Sequence, residues 1–258
     1  MRIISLNLWI GRAYDNLVQF LQKEKVHTDI FCFQEVLDSR SGVPSAEIKE
    51  TKASMQQLAS MGVSDLYTKL EGMLEGFDGF LSEAYGFGAE RLATFAKKGL
   101  HAKVRVLTVH KPIAVNMNGK PFWMRSIAQH INAENDENAY DIAQVHGLWQ
   151  SGGKEDTPER KEQSHMINKI LSDFGERRIL CGDFNLLPDT ESIRILEEGA
   201  MRNLIKEYRI NTTRSSLASE GKGKFADYMF VSDKIRVEDF KVPKIDVSDH
   251  LPLCLDFE

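Results

Sequence analysis

Acidic, amide and imidazole side chains interrupt or follow six apolar runs of this sequence. A buried strand accommodates such groups only where a cavity or cleft receives them, because burying a polar group without a partner is costly. The residues are Asn7, Gln34 and Glu35, His146, Asp183 and Asn185, Asp227, and Asp249 and His250. Side chains of these types can hold a hard divalent cation and transfer a proton. In a sheet fold they would converge at one end of the strands.

Each of these residues, taken alone, has an ordinary structural explanation. Asn7 can end a strand by bonding its own backbone, and Asp183 with Asn185 can form an Asx turn. An isolated histidine such as His146 is more often a satisfied core residue than a catalyst. The joint occurrence favours one functional site, because the structural explanation would need six independent coincidences.

The elements that must position these side chains alternate strands with helices. Apolar runs bounded by turn residues predict strands over residues 2–9, 29–36, 91–96, 104–109, 126–131, 140–146, 178–181, 227–231 and 251–257. We expect the middle strands, up to His146, to form an antiparallel meander. Residues 66–87 are rich in glycine and aromatic residues without a clean period, which favours hairpins or a long functional loop.

Helical apolar spacing and capping residues predict four helices. The first is capped by Asp15 or Asn16, the second ends at Gly62, the third starts at Thr157 and Pro158, and the fourth is capped by Asp189 or Thr190. The first helix buries Leu17, Phe20 and Leu21 on one face. Strand, helix and strand thus follow one another in an α/β pattern.

Composition and charge place the chain among ordinary folded proteins. Hydrophobic residues make up 42% and charged residues 28%, which excludes disordered, collagen-like and coiled-coil classes. The formal net charge of −5 lacks the strong positive field expected of a dedicated duplex-DNA binder. A local basic patch stays compatible with this charge.

Cysteine usage and the N-terminus indicate a compartment. Cys32, Cys181 and Cys254 lie in apolar runs, with neither zinc spacing nor an even disulfide set, so we expect buried reduced thiols. The N-terminus lacks the long apolar stretch of a secretory signal, and no run is long enough for a transmembrane segment. We therefore expect a cytoplasmic protein.

In their order along the chain, these residues resemble the motif set of the endonuclease/exonuclease/phosphatase superfamily. The set reads LN, QE, H, GDFN, DYMFVS and SDH, and it extends from Ser5 to Leu253. Each motif is weak alone, but the complete ordered set is specific. The resemblance implies the four-layer α/β sandwich of DNase I, with two packed mixed β-sheets flanked by helices. It also implies a single domain over residues 1–258, because Asn7 and His250 would share one site.

The resemblance further implies a hydrolase of phosphodiester or phosphomonoester bonds that uses Mg²⁺, with Mn²⁺ as an alternative. Glu35 would supply a hard oxygen ligand to the cation, and Asn7 and Asp249 would complete its shell. Phosphate-ester hydrolysis also needs a positioned water and protonation of the leaving oxygen. By resemblance, Asp183 orients or deprotonates the water and Asn185 donates to the developing phosphorane.

The remaining roles concern the histidines and the substrate. By resemblance, Asp227 and His250 form a pair in which the carboxylate fixes the imidazole tautomer. His146 would donate to the phosphate or protonate the leaving group. Trp149, just after His146, could stack on a substrate, and Arg125 could contact a phosphate.

Two features bear on the choice of substrate. Trp9 stands where the AP-endonuclease and tyrosyl-DNA phosphodiesterase branches place a carboxylate, which disfavours both branches. The segment LNLW is similar to the corresponding segment of sphingomyelinases. We expect a substrate with an accessible phosphate, such as single-stranded nucleic acid, a nucleotide, a phospholipid headgroup or another small phosphorylated molecule. No protein partner can be inferred from the sequence.

The sequence disfavours two alternatives to this enzyme class. A non-catalytic binding or scaffold protein on the same fold would lack Glu35, Asp183 or a histidine, and the chain retains them. A calcineurin-like phosphoesterase would need a second Asp in the GD motif and a GNH motif, and the sequence has neither. Within the predicted class, a sphingomyelinase-like phospholipid phosphodiesterase and a nuclease both stay open.

Overall fold

Two mixed β-sheets of six strands each pack face to face, with helices on their outer faces. The computed structural model describes residues 1–38, 62–84, 90–117, 120–135, 138–151, 153–199, 201–221 and 223–258, and of residues 115–117 and 120–125 it describes the backbone alone. The predicted helix that ends at Gly62 lies outside the described residues. The α/β sandwich predicted from the sequence is confirmed.

In the described part of the chain, twelve strands form the two sheets, and their order in each sheet differs from their order in the sequence. They are β1 (Arg2–Asn7), β2 (Ile30–Val36), β3 (Phe77–Leu81), β4 (Arg91–Lys97), β5 (His101–Met117), β6 (Lys120–Glu134), β7 (Ala139–His146), β8 (Arg178–Asp183), β9 (Met201–Asn203), β10 (Asp227–Ser232), β11 (Val237–Lys241) and β12 (Leu253–Phe257). The first sheet has the order β11-β12-β1-β2-β4-β3, and the second has the order β5-β6-β7-β8-β10-β9.

Short helices connect the strands and cover the sheets. They are a 3-10 helix (Trp9–Gly11), α1 (Tyr14–Glu24), α2 (Leu66–Met73), α3 (Pro158–Ser172), α4 (Glu191–Glu198) and α5 (Leu204–Glu207). As predicted, Thr157 and Thr190 cap α3 and α4, since their side chains accept hydrogen bonds from backbone N–H groups of the first turn.

Three sequence predictions need local correction. The first strand ends at Asn7 rather than at residue 9, because the chain turns there into the 3-10 helix. Asp15 and Asn16 do not cap α1, which begins at Tyr14 and includes both residues in its first turn. The segment expected to form hairpins or a loop contains α2 and β3.

The predicted meander is correct only in part. Strands β5, β6 and β7 pair antiparallel in sequence order. Strand β4, in contrast, belongs to the other sheet, where it pairs with β2 and β3. Strands β9 and β11 and helix α5 were not predicted, because they are short and their sequences carry little apolar pattern.

Alternation along β1 divides its side chains between two cores. Ile4 and Leu6 pack with buried residues of α1 and α2, such as Leu17. Ile3 belongs to the core that includes the second sheet. Asn7 has the same parity as Ile3, so the strand directs it between the two sheets.

A chain of buried amides links the two sheets beside this position. Gln34 Nε2 donates to Gln144 Oε1 at 3.0 Å, and Gln144 Nε2 donates to Gln129 Oε1 at 2.6 Å. All three side chains are at most 1% exposed. Because a buried polar group must keep its partner, this network fixes how the sheets lie relative to each other.

One transverse row of the second sheet carries three predicted site residues. His146 on β7 lies opposite Asp183 on β8, and Asp183 lies opposite Asp227 on β10. Successive residues of one strand point to opposite faces, so residues in one such row share a face. The pairing therefore directs all three side chains toward the first sheet, where Asn7 and Glu35 lie.

Gly182 permits the close approach of β7 and β8 at this row. Its φ of +133° lies in a region that residues with a Cβ rarely adopt. A Cβ at this position would lie 2.0 Å from Val145 O on the neighbouring strand. The glycine thus sets the spacing between the strands that carry His146 and Asp183.

Two further sequence predictions concern cysteines and membrane spans. Cys32, Cys181 and Cys254 are buried free thiols, as predicted. Within the described ranges, the helices are too short or too polar to cross a bilayer.

We predict that Gly182→Ala lowers the free energy of unfolding by at least about 2 kcal/mol, because a methyl group would meet the Val145 carbonyl in a strained backbone conformation. Chemical denaturation measures the loss. Gly72→Ala is the matched control, since Gly72 lies in α2 with no atom within 4 Å of an added Cβ. The control should be neutral or slightly stabilising. Equal effects of the two substitutions would contradict this role of Gly182.

Candidate active site

One amide joins the two sheets at the centre of the site. Asn7 Nδ2 donates to Glu35 Oε1 at 2.9 Å and to Asp183 Oδ2 at 3.1 Å. Its Oδ1 accepts a hydrogen bond from Trp9 N at 2.9 Å. Asn7 is fully buried, and Glu35 and Asp183 come from β2 and β8. The predicted convergence of these residues is therefore present in the fold.

Glu35 reaches Asn7 because β2 is irregular at this residue. Regular alternation would direct Glu35 to the face of Phe31 and Phe33, toward α1 and α2. Glu35 instead has a left-handed φ of +56°, and the pairing of β2 with β4 shifts between Phe33 and Val36. Left-handed backbone in a non-glycine residue is costly and is concentrated at functional sites.

Asp183 lies between two imidazoles. Its Oδ2 is 3.6 Å from Nε2 of His146 and 3.6 Å from Nε2 of His250. Burial would raise the pKa of Asp183, but the charges of His250 and His146 outweigh burial and hold this pKa well below its ordinary value. Asp183 is therefore ionised at neutral pH.

Asp227 and His250 form the predicted pair. His250 Nδ1 lies 2.8 Å and 2.9 Å from the two carboxylate oxygens of Asp227. Burial disfavours the charged imidazole, yet the carboxylates of Asp227 and Asp183 raise the pKa of His250 above its ordinary value. Thr213 fixes the start of β10, because its Oγ1 accepts from the backbone N–H of Asp227 at 3.2 Å.

Asn185 and Gly147 complete the turn that follows β8. Asn185 N donates to Asp183 Oδ1 at 2.8 Å, and Asn185 Nδ2 donates to Gly147 O at 3.3 Å. The left-handed φ of +53° at Asn185 allows this Asx arrangement. The ordinary structural explanation of GDFN is thus correct, and the same turn places Asn185 in the cleft.

Asp249 is held by an arginine that the sequence analysis did not identify. Arg214 Nη1 donates to Asp249 Oδ2 at 3.0 Å, and it lies 2.5 Å from His250 Nε2. A two-residue β-bridge between Arg214 and His250 aligns the two loops. The surrounding sequence, TTRSS, gave no apolar pattern that could have indicated a buried arginine.

Most of these residues, among them Glu35, Asp183 and His250, line a cleft of about 510 Å³, whereas Asn7 and Asp227 are not part of its lining. The cleft is also lined by Trp9, Trp149 and Lys154. Trp149, which the sequence predicts to bind substrate, thus lies in the lining of the cleft. Arg125 lies in β6, and its side chain is outside the described part of the structure.

Besides Arg214, the sequence analysis did not identify Glu90, whose carboxyl group also belongs to the site. It lies directly before β4 and lines the cleft, with 6% of its surface exposed. Burial, and then the nearby charge of Glu35, raise the pKa of Glu90 well above its ordinary value. Its position before a buried strand, in GAERLATF, is the signal that could have identified it.

The donor set fits a hard divalent cation. Ligand atoms of Glu35, His146 and Asp183 all lie within 4.8 Å of one another, and so do those of Asp183, Asp227 and His250. Carboxylate oxygens are the protein ligands that Mg²⁺ and Mn²⁺ prefer, and the thiolates typical of structural zinc sites are absent from both groups. Glu35 belongs to the first group, and the ligand roles of Glu35, Asn7 and Asp249 stay predictions.

The sequence matches the model of the Endonuclease/Exonuclease/phosphatase family over residues 4–250. The chain therefore belongs to this family, and the prediction of a phosphoric ester hydrolase of this family is confirmed at the family level. A search of curated proteins finds no significant match.

Solved structures of this family share the fold. A family protein from Bacteroides thetaiotaomicron has a TM-score of 0.69 and 17% identity, with 100% of this chain and 97% of that chain covered. A mannosyl-6-phosphatase from Bacteroides thetaiotaomicron VPI-5482 also has a TM-score of 0.69, at 16% identity, with 100% and 99% covered. The human Nocturnin catalytic domain with a bound sulfate anion has a TM-score of 0.62 and 18% identity, with 100% and 93% covered. Identities this low establish the fold alone.

We predict that Asp227→Asn and His250→Ala act on turnover of a phosphate ester as one unit. Each single change should lower kcat on the order of 10²-fold or more, and the double variant should lose little more than the worse single variant. A control pair exists outside the cleft, where His130 Nε2 lies 2.7 Å from Asp141 Oδ1. Asp141→Asn and His130→Ala should leave kcat of the folded enzyme unchanged. A double variant at Asp227 and His250 with the product of the single losses would refute the pairing.

Proposed function

We propose that this protein is a Mg²⁺-dependent hydrolase of phosphate esters, in which an activated water attacks phosphorus. The observation that carries the proposal is the shared hydrogen bonding of Asn7 with Glu35 and Asp183, beside two imidazoles that flank Asp183. Acid, base and metal-ligating groups thus meet at one place in a cleft.

Glu35 is the proposed primary ligand of the cation, with Asn7 and Asp249 as the further ligands predicted from the sequence. A bound Mg²⁺ would neutralise charge on the phosphate and polarise it toward attack. The ligand groups that include Glu35, His146 and Asp183 support this assignment. Mn²⁺ has the same ligand preference and is expected to substitute.

Asp183 is the proposed base or orienting group for the attacking water. Its lowered pKa supports an ionised acceptor at neutral pH, and its contacts with both imidazoles support a central place in the reaction. Asn185 would donate to the developing negative charge on phosphorus-bound oxygen. The Asx turn holds its side chain in the cleft for this purpose.

The two histidines have different proposed tasks. The Asp227 carboxylate orients His250 so that its Nε2 faces the reaction centre. His146 Nε2 lies 4.0 Å from Glu35 Oε1 and 3.6 Å from Asp183 Oδ2. From this position beside the two carboxylates, His146 would donate to the phosphate or to the leaving oxygen.

The proposed substrate carries an accessible phosphate: single-stranded nucleic acid, a nucleotide, a phospholipid headgroup or a small phosphorylated molecule. The net charge of −5 disfavours a duplex polyanion, and the two tryptophans in the cleft, Trp9 and Trp149, support stacking of a base or cover of an apolar group. The alternative of an inactive scaffold is disfavoured, because the cleft retains Glu35, Asp183 and both histidines.

Two further expectations stay predictions. Contributions from both sheets to one cleft support a single domain over residues 1–258. The sequence also leads us to expect a cytoplasmic location.

The test compares turnover on plasmid DNA, an abasic-site duplex, single-stranded oligonucleotides, nucleotides and sphingomyelin at moderate salt, with Mg²⁺, Mn²⁺ or EDTA. We expect hydrolysis of a non-duplex substrate that needs the metal and falls on the order of 10²-fold or more in Glu35→Ala. Glu75→Ala, at an exposed residue, is the matched control. Full activity in EDTA or in Glu35→Ala would overturn the metal assignment, and faster cleavage of either duplex would overturn the substrate class alone.

A further inference from the structure

Arg214 is a buried cation inside the cleft. Its side chain is 7% exposed and lines the cleft together with His250 and Asp183. The loop that carries it is fastened to the Asp249-His250 loop by backbone hydrogen bonds from Leu251 N to Thr213 O and from Ser215 N to Asp249 O. Arg214 is therefore held in a fixed position relative to the reaction centre.

The head group of Arg214 reaches the atom that would face a phosphate. Its Nη1 is 2.5 Å from His250 Nε2, and the same Nε2 is 3.6 Å from Asp183 Oδ2. A guanidinium donates and never accepts, so His250 Nε2 accepts this hydrogen bond and Nδ1 donates to Asp227. An anion that entered here would compete with His250 Nε2 for the Arg214 donor.

Arg214 also has donor capacity that the described residues do not use. Both of its hydrogen bonds come from Nη1, and its Nε is buried without a partner among the described residues. A guanidinium has five donors in a planar fork that matches phosphate oxygens. Because unused buried donors are costly, an anion that accepted from Arg214 here would be stabilised.

The charge of Arg214 distinguishes between classes of phosphate ester. Glu35, Asp183, Asp227 and Asp249 surround the centre with negative charge, and Arg214 adds a positive charge that pH does not remove. At neutral pH a phosphomonoester carries one more negative charge and one more terminal oxygen than a phosphodiester. In a buried site, one more charge beside a cation is a large energetic difference.

We propose that Arg214 binds the terminal oxygens of the scissile phosphate and makes the site select phosphomonoesters over phosphodiesters. This inference rests on the proposed function and narrows its substrate class. In the reaction, water adds to phosphorus and the ester P–O bond breaks. The ester oxygen leaves as an alcohol with one proton of the water, and inorganic phosphate keeps the other proton.

The test uses p-nitrophenyl phosphate and bis(p-nitrophenyl) phosphate, which share a leaving group. The wild-type protein should have the higher kcat/KM on the monoester. In Arg214→Gln, this kcat/KM should fall about 10²-fold, and the monoester-to-diester ratio should fall about tenfold or more. Inhibition by inorganic phosphate should weaken in parallel. Arg236→Gln, at an arginine on the surface, should change neither quantity.

Arg214→Lys keeps the charge but not the fork, so it should lose part of the monoester preference and part of the phosphate inhibition even if Arg214→Gln does not fold. Thermal unfolding checks that each variant is folded.

A wild-type preference for the diester, or an unchanged ratio in folded Arg214 variants, overturns the inference while the proposed function stands. If the wild type hydrolyses neither ester and no substrate of the screen described above, the proposed function fails. Stabilisation by inorganic phosphate that is absent in Arg214→Gln would then support the anion site, and its persistence would refute it.

Discussion

The amide of Asn7 donates to two carboxylates that come from different sheets, and much of the surrounding structure serves to hold those carboxylates together. Ligand atoms of Glu35 and Asp183 lie within 4.8 Å, where two unit charges repel by about 3 kcal/mol or more at an effective dielectric constant near 20. The left-handed backbone of Glu35, the buried amide chain that begins at Gln34 and the glycine at residue 182 keep the sheets in the relation that brings these charges together.

The repulsion is offset locally by imidazole and guanidinium groups that also belong to the proposed chemistry. His146 and His250 flank Asp183, and Arg214 holds Asp249, so each carboxylate of the centre faces a donor or a cation. A cluster of carboxylates with this excess of negative charge favours the binding of a divalent cation. The pKa values of two buried carboxyl groups shift in opposite directions. Burial, and then the carboxylate of Glu35, raise the pKa of Glu90, whereas for Asp183 the charged neighbours outweigh burial and lower the pKa.

The sequence predicts the site better than it predicts the sheets. Asp183, Asp227 and His146 break apolar runs, so their neighbours reveal both the strand and the functional end. The position of β4 depends on pairing with β2, which no local pattern records, and α2, with eight residues, is too short to have a clear period. Arg214 lies in a polar loop, and only the contact with the distant His250 makes it part of the cleft.

The most direct test of a metal-dependent phosphate site at this junction is an anomalous difference map from crystals grown with Mn²⁺ and inorganic phosphate. We expect a manganese peak in contact with the Glu35 carboxylate and within the cleft that contains Asp183, with phosphate on the side of His146 and His250. A manganese peak elsewhere on the surface, or a cleft without manganese at saturating concentration, would contradict it.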